Sequence, residues 1–104
     1  RPDARITEVV DEILELLRLL VAGDFEAAEG ALRALLFEHG IAPGELLGQC
    51  YRALIRLPMH RDLKVELIDH LGETDFRLSE GGTPELQMEA LLARCVLSAR
   101  RYAC

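Results

Sequence analysis

The sequence predicts an all-α fold, a five-helix bundle, on three observations. Its apolar mass is mostly Leu and Ala, which favour helices, with aromatics at only 5% and no Trp. Five segments repeat apolar residues at the i, i+3, i+4, i+7 spacing of a helix face, each bracketed by Gly, Pro or a capping residue. No alternating apolar/polar run is long enough for a strand, and neither Asn-Gly nor Asp-Gly marks a hairpin. With 104 residues, 50% hydrophobic and 29% charged, the composition is globular and gives room for one core, hence a single domain over residues 1–104.

The first segment runs from Asp3 to Ala22. Ile6, Val9, Val10, Ile13, Leu17 and Leu20 follow the helical template, and Leu16 and Leu19 widen the stripe. Asp3 and Glu8 lie early and Arg18 late, which suits the helix dipole. Gly23 is placed to take the left-handed position after this helix, and Asp24 to cap the next. The second segment, Phe25 to His39, presents Phe25, Ala28, Leu32, Leu35 and Leu36, with Ala27, Ala31 and Ala34 allowing close helix approach. Gly40 ends it, with His39 in the last turn.

Pro43 opens the third segment at the first helical position, which tolerates proline. Leu47, Cys50, Tyr51 and Leu54 form its stripe, and Pro58 stops it. The fourth starts near Arg61-Asp62, runs to Glu80, and is closed by Gly81-Gly82. Thr83-Pro84-Glu85 then supplies a cap, a proline and an early acid for the fifth, which continues to about Arg100.

Charge and motifs narrow the function. The net charge of −6 and pI near 5.0 argue against a domain that grips nucleic acid by itself. Lys64 is the sole lysine among 12 basic residues. A phosphate-binding loop needs a lysine after a glycine-rich turn, and Lys64 follows Asp62-Leu63, so nucleotide is not bound that way; GxGxxG is absent too. The three cysteines are odd in number and irregular in spacing, which predicts no disulfide framework and a reducing, cytoplasmic setting. No apolar stretch is long enough for a membrane span, and runs such as Leu19–Ala22 are too short for a signal peptide. The chain opens on Arg1-Pro2 without Met and is read as a fragment of a longer protein.

His39, His60 and His70 fall on different segments or turns, without HExxH or CxxC, and read as surface or capping residues. Cys50 reads as a small core residue, and Cys95 as core or interface. No catalytic, cofactor-binding or metal-ligating set is expected. Two features stand out. Asp75 shares a helical sector with Leu67, Ile68, Leu71 and Leu78, so it is expected to be buried and paired, with an arginine or helix-end N–H groups. A general base in a cleft is the lesser alternative, since no nucleophile or histidine accompanies it. In the fifth segment Gln87, Met88, Leu91 and Cys95 share one sector and Leu86, Ala90 and Leu97 the opposite one, so this helix needs two covers.

The run Gly72-Glu73-Thr74-Asp75-Phe76-Arg77-Leu78-Ser79-Glu80-Gly81-Gly82, then Gln87-Met88-Glu89-Ala90-Leu91-Leu92-Ala93, resembles the C-terminal domain of archaeal replication factor C small subunits. Gly23-Asp24-Phe25-Glu26-Ala27-Ala28 and Glu38-His39-Gly40-Ile41 extend the resemblance over about Pro2 to Arg94. The chain departs from that pattern at two cap positions, Pro43 and Thr83-Pro84.

The resemblance implies a collar, the helical bundle that joins clamp-loader subunits into a ring as homo- and hetero-oligomers. ATP and Mg, the sliding clamp and primer–template DNA would be handled by preceding AAA+ domains, with no cofactor in this fragment. It marks Gly23, Asp24, Phe25, Gly40, Gly72, Asp75, Gly81 and Gln87 as structural. The expected subunit contact is Leu86, Ala90 and Leu97, rimmed by Glu73, Arg77, Glu89 and Arg94. The alternative is a helical protein–protein adaptor unrelated to clamp loading.

Overall fold

A computed structural model describes the backbone of residues 4–103 and the side chains of residues 9–103. Five α-helices follow in order: α1 Ala4–Ala22, α2 Phe25–Arg33, α3 Pro43–Leu54, α4 Arg61–Ser79 and α5 Pro84–Arg101. There is no strand among the described residues. The expected early acids Asp3 and Glu8, the stripe residue Ile6 and Cys104 lie outside the described side chains.

Two of the turns close by the same device. After α1, Gly23 takes φ 76°; its N–H bonds the Leu20 carbonyl at 3.0 Å, and that of Asp24 reaches Leu19 at 3.1 Å. After α4, Gly81 takes φ 94°; its N–H bonds Leu78, and that of Gly82 reaches Arg77 at 2.9 Å. Both pairs satisfy helix-end carbonyls that would otherwise be orphaned, and both need a residue without a Cβ at the left-handed position. Asp24 Oδ1 then accepts from the Ala27 N–H at 3.1 Å and starts α2.

Three local expectations are corrected. The second segment is not one α-helix: Ala34–Glu38 form a π-helical turn, in which the His39 N–H reaches back to Ala34 at 2.9 Å. The wider turn carries Leu35 into the core and leaves Phe37 outside under the Arg33 guanidinium, 5.1 Å from its ring centroid. Thr83 makes no side-chain cap bond, whereas His60 does cap α4, its Nδ1 accepting from the Asp62 N–H at 3.1 Å. Within the stripes Val10 and Tyr51 are exposed, while Leu46, outside the expected stripe, is buried. Each of these errors is a rotation of about one residue around the helix, 100°.

Helices α1, α5, α4 and α3 pack each on the next and α3 returns to α1, closing a four-helix ring. α2 lies outside it, against α1 and α5. Helices α3 and α5 therefore sit on a diagonal, with no substantial packing between them among the described residues. The centre is filled by Ile13, Leu16, Leu17, Leu32, Leu46, Leu54, Leu67, Met88 and Leu92, each nearly or fully buried. An internal gap of about 30 Å³ is lined by apolar side chains and the thiols of Cys50 and Cys95. A radius of gyration of 13.1 Å is that of one compact domain of this length.

Candidate subunit interface

Helix α5 is apolar on two sides, and only one is covered. Met88, Leu91, Leu92, Cys95, Val96 and Ala99 face the core. On the opposite side Leu86 is 62% exposed and Leu97 57%. They are eleven residues apart, about three turns, so they lie on one line roughly 16 Å long. Ala90, half-buried, lies between them. Gln87 is on the flank, its side chain laid over Gly82 at 3.1 Å from where a Cβ would be. Met88, Leu91 and Cys95 are buried and Leu86 and Leu97 exposed, as their sectors imply, whereas Gln87, expected with the buried set, is only half-buried.

The expected charged rim divides into three parts. Glu73 and Arg77 pair with each other along α4 at 2.9 Å. Glu89 turns to α2, 3.6 Å from Arg33. Burial and the facing carboxylate of Glu29 raise the Glu89 pKa above the ordinary range, against the pull of Arg33. Arg94 turns to α4, where its Nη2 donates to Thr74 Oγ1 at 2.9 Å. Its buried Nε has no acceptor, and no carboxylate pairs with it among the described residues.

Asp75 is a correction. It is exposed, with no ion pair among the described residues, and the fully buried residue on that turn is Thr74. The buried line of α4 runs Leu63, Leu67, Leu71, Thr74. After Leu71 it advances by three residues rather than four, and Asp75 is left at the edge facing α3. A carboxylate at the edge keeps its water; at Thr74 it would have faced a core without a free donor except Arg94.

Sequence reasoning missed a polar seam between α4 and α5. His70 Nε2 and Ser98 Oγ are 2.8 Å apart, and Ser98 is buried. Tyr102 donates to Glu66 Oε2 at 2.6 Å, Arg101 pairs with Glu66 Oε1, and the Tyr102 ring lies 4.6 Å from that of His60. Hydrogen bonds from Tyr102 and Ser98 hold the Glu66 carboxyl below the usual range, while burial and the Arg94 charge lower His70. The signal in sequence was the repeat of polar residues at 66, 70 and 98, 101, 102, which single-helix periodicity does not connect. Ser98, 1% exposed, is buried against the half-buried His70.

Cys50 and Cys95 are buried thiols pushed up to about 12 by burial, the state of core residues rather than nucleophiles. No group of three or more His, Cys, Asp or Glu is placed to hold a metal among the described residues, and none of the described helices is long and apolar enough to cross a membrane.

A family model described as the Replication factor C C-terminal domain matches residues 5–94. This chain belongs to that family. Similar curated proteins include "Replication factor C small subunit" of Methanoregula boonei, 63% identical over 91 residues, which are 88% of this chain and 28% of that protein. The small subunit of Methanoculleus marisnigri is 59% identical over 92 residues (88% of this chain, 29% of that protein), and that of Archaeoglobus fulgidus 40% over 83 (80% and 26%). The chain thus spans less than a third of the length of these relatives.

The family match bears out the resemblance carried by the blocks from Gly72 and from Gln87. Every position marked as structural lies within the replication factor C domain, as does each expected interface residue except Leu97. Ser98, Arg101 and Tyr102, which build the polar seam, lie beyond the matched stretch.

Proposed function

We propose that this replication factor C domain acts as a collar, an oligomerisation module that holds clamp-loader subunits together during DNA replication. The observation that supports it is the α5 ridge, with Leu86 and Leu97 more than half exposed on a helix whose other side fills the core. Covering such a ridge removes apolar area from water at about 25 cal/mol per Å². A collar needs no chemistry of its own: it supplies fixed contacts while other parts move. In this reading the whole protein is a cytoplasmic AAA+ ATPase. ATP and Mg, the sliding clamp and primer–template DNA belong to segments other than this one, and this domain's partners are other subunits of the same kind.

Light scattering on the chain as it stands tests the reading. A collar gives a mass that rises with concentration above the 11.6 kDa of one chain. A chain that remains monomeric at millimolar concentration, yet is captured by an unrelated protein through α5, is an adaptor.

A further inference from the structure

Helix α1 packs on α2, α3 and α5, yet one line of its apolar residues stays outside. Val10 is 45% exposed and Leu14 39%. With the half-buried Val21 they hold the i, i+4 and i+11 positions of one helix face, roughly 16 Å long. A furrow follows this line. One stretch, of about 260 Å³, lies between α1 and α3, where Arg52 and Arg56 face Val10 and Leu14. The next, of about 390 Å³, lies between α1 and the α3–α4 turn, where Leu57 and Met59 face Leu14, Arg18 and Val21. Leu14 lines both, so the two are continuous. Arginines at 18, 52 and 56 line the furrow and no acid does. The sequence carries the same bias: Leu46 to Arg61 holds three arginines and no Asp or Glu, in a chain of net charge −6. Arg18 pairs with Glu15, and Arg52 with Glu45 at 3.8 Å, each pair at the surface. Arg56 is exposed and pairs with no carboxylate among the described residues. Beyond Val10 the surface turns acidic, with Glu38 and Glu45 lining the next hollow.

An apolar line flanked by cations matches an apolar occupant flanked by anions. We propose that this α1/α3 furrow docks an amphipathic helix of a different protein, its apolar stripe laid along Val10, Leu14 and Met59 and its acids turned to Arg18, Arg52 and Arg56. The occupant is a helix because the described residues offer no strand edge, and a furrow between helices takes a further helix as the bundle's own grooves do. About 15 residues, four turns, span it. A second copy of this chain is the poorer match. The acidic helix α2 exposes no large apolar side chain, and on α5 the one acid between Leu86 and Leu97 is Glu89, which is turned to Arg33. Duplex nucleic acid answers the arginines but leaves Val10 and Leu14 against phosphates. The furrow shares no residue with the α5 ridge, so this docking goes beyond the collar reading and does not rest on it.

A labelled probe peptide of that length tests it, with Leu at positions i, i+4, i+7 and i+11 of a helix and Glu on both flanks. Its fluorescence anisotropy is read against this chain, beside a scrambled peptide of the same composition and one with Lys in place of Glu. The Glu peptide is expected to bind at least about tenfold more tightly than either control, and less tightly as salt rises. R56E and L14E are each expected to weaken it by about tenfold or more, while L97E, on the α5 ridge, leaves it unchanged. R52E/R56E is expected to take the Lys peptide in preference to the Glu peptide. Melting temperatures report that each variant keeps its fold; if L14E melts far below the parent, the exposed arginine variants decide. Binding of the Glu peptide no tighter than the scrambled one, or as tight to R56E as to the parent, overturns the proposal. Loss of self-association in a folded L14E assigns the furrow to a second copy. Duplex DNA that binds more tightly than the Glu peptide, and is lost in R56E, assigns it to nucleic acid. Either result also overturns the proposal.

Discussion

Arg94 Nη2 donates to Thr74 Oγ1 across 2.9 Å, and this bond ties the middle of α5 to a fully buried position on α4. It is the point where the core meets the outer face. The threonine has no exposure, while the arginine is half-buried.

Thr74→Val keeps the shape and removes the acceptor. The Arg94 guanidinium, already short of one partner at Nε, then loses another. We expect a loss of about 1–3 kcal/mol in urea unfolding, the cost of a buried donor left unmet. Asp75→Ala, by contrast, changes an exposed residue and is expected to stay within about 0.5 kcal/mol of the parent. If Asp75→Ala proves the more damaging of the two, the assignment of buried and exposed positions on this turn is wrong.

That pair of residues also marks how far the sequence could be read. Helix number, order and most boundaries followed from periodicity, from Pro43 and Pro84 at helix starts, and from Gly23 and Gly81 at their ends. These are local properties, decided by backbone sterics within a few residues. Asp75 was misplaced because a helical wheel fixes a sector only to within about 100°, and the neighbours decide which edge of the stripe is covered. The π-helical turn and the seam from His70 to Ser98 depend on contacts between segments, which no single-segment pattern contains. The outer face of α5 was legible because Leu86 and Leu97 are apolar residues that a one-sided helix would not need.

His70 gives the fold a pH dependence. Burial and the Arg94 charge lower its pKa, with Arg101 adding to this and Asp69 and Glu66 opposing it. Ser98 faces it from α5. A histidine lowered in the folded state is held neutral there, so its stabilising effect is complete above its unfolded pKa of about 6.5. The effect declines as pH falls through that value toward the folded one. The urea midpoint is expected to drop between about pH 7.5 and about pH 5.5, and His70→Asn is expected to flatten the drop. An unchanged drop in His70→Asn would place the titrating group elsewhere.

Glu29 and Glu89 present like charges to each other where α2 packs on α5, and Arg33 offsets them only in part. The raised pKa of Glu89 means that its charged form is disfavoured in the fold, so stability is gained as pH falls through the folded value. Glu29→Gln removes the repulsion at neutral pH and is expected to stabilise the domain by about 0.5 kcal/mol, the size of a like-charge pair on neighbouring turns. Thermal melting near neutral pH checks it; a lower melting temperature would mean that Glu29 serves Arg33 more than it opposes Glu89.

Ala90→Glu probes the ridge where it is lowest. Ala90 is half-buried between Leu86 and Leu97, and its Cβ lies on the side of α5 away from Met88, Leu92 and Cys95. A longer acid at this position has water to point into when the chain is alone, and glutamate is a good helix former, so the monomer is expected to melt within about 0.5 kcal/mol of the parent. In an assembly that covers the ridge, the same carboxylate is carried out of water among apolar side chains, with only Arg94 near enough in sequence and face to answer it. A buried charge so poorly matched costs several kcal/mol, enough to move association by a factor of a hundred or more, as a rough scale. Light scattering reads the loss of mass and thermal melting reads the fold. If the variant melts far below the parent, position 90 belongs to the core; if it stays folded and associates as the parent does, the ridge is not where subunits meet.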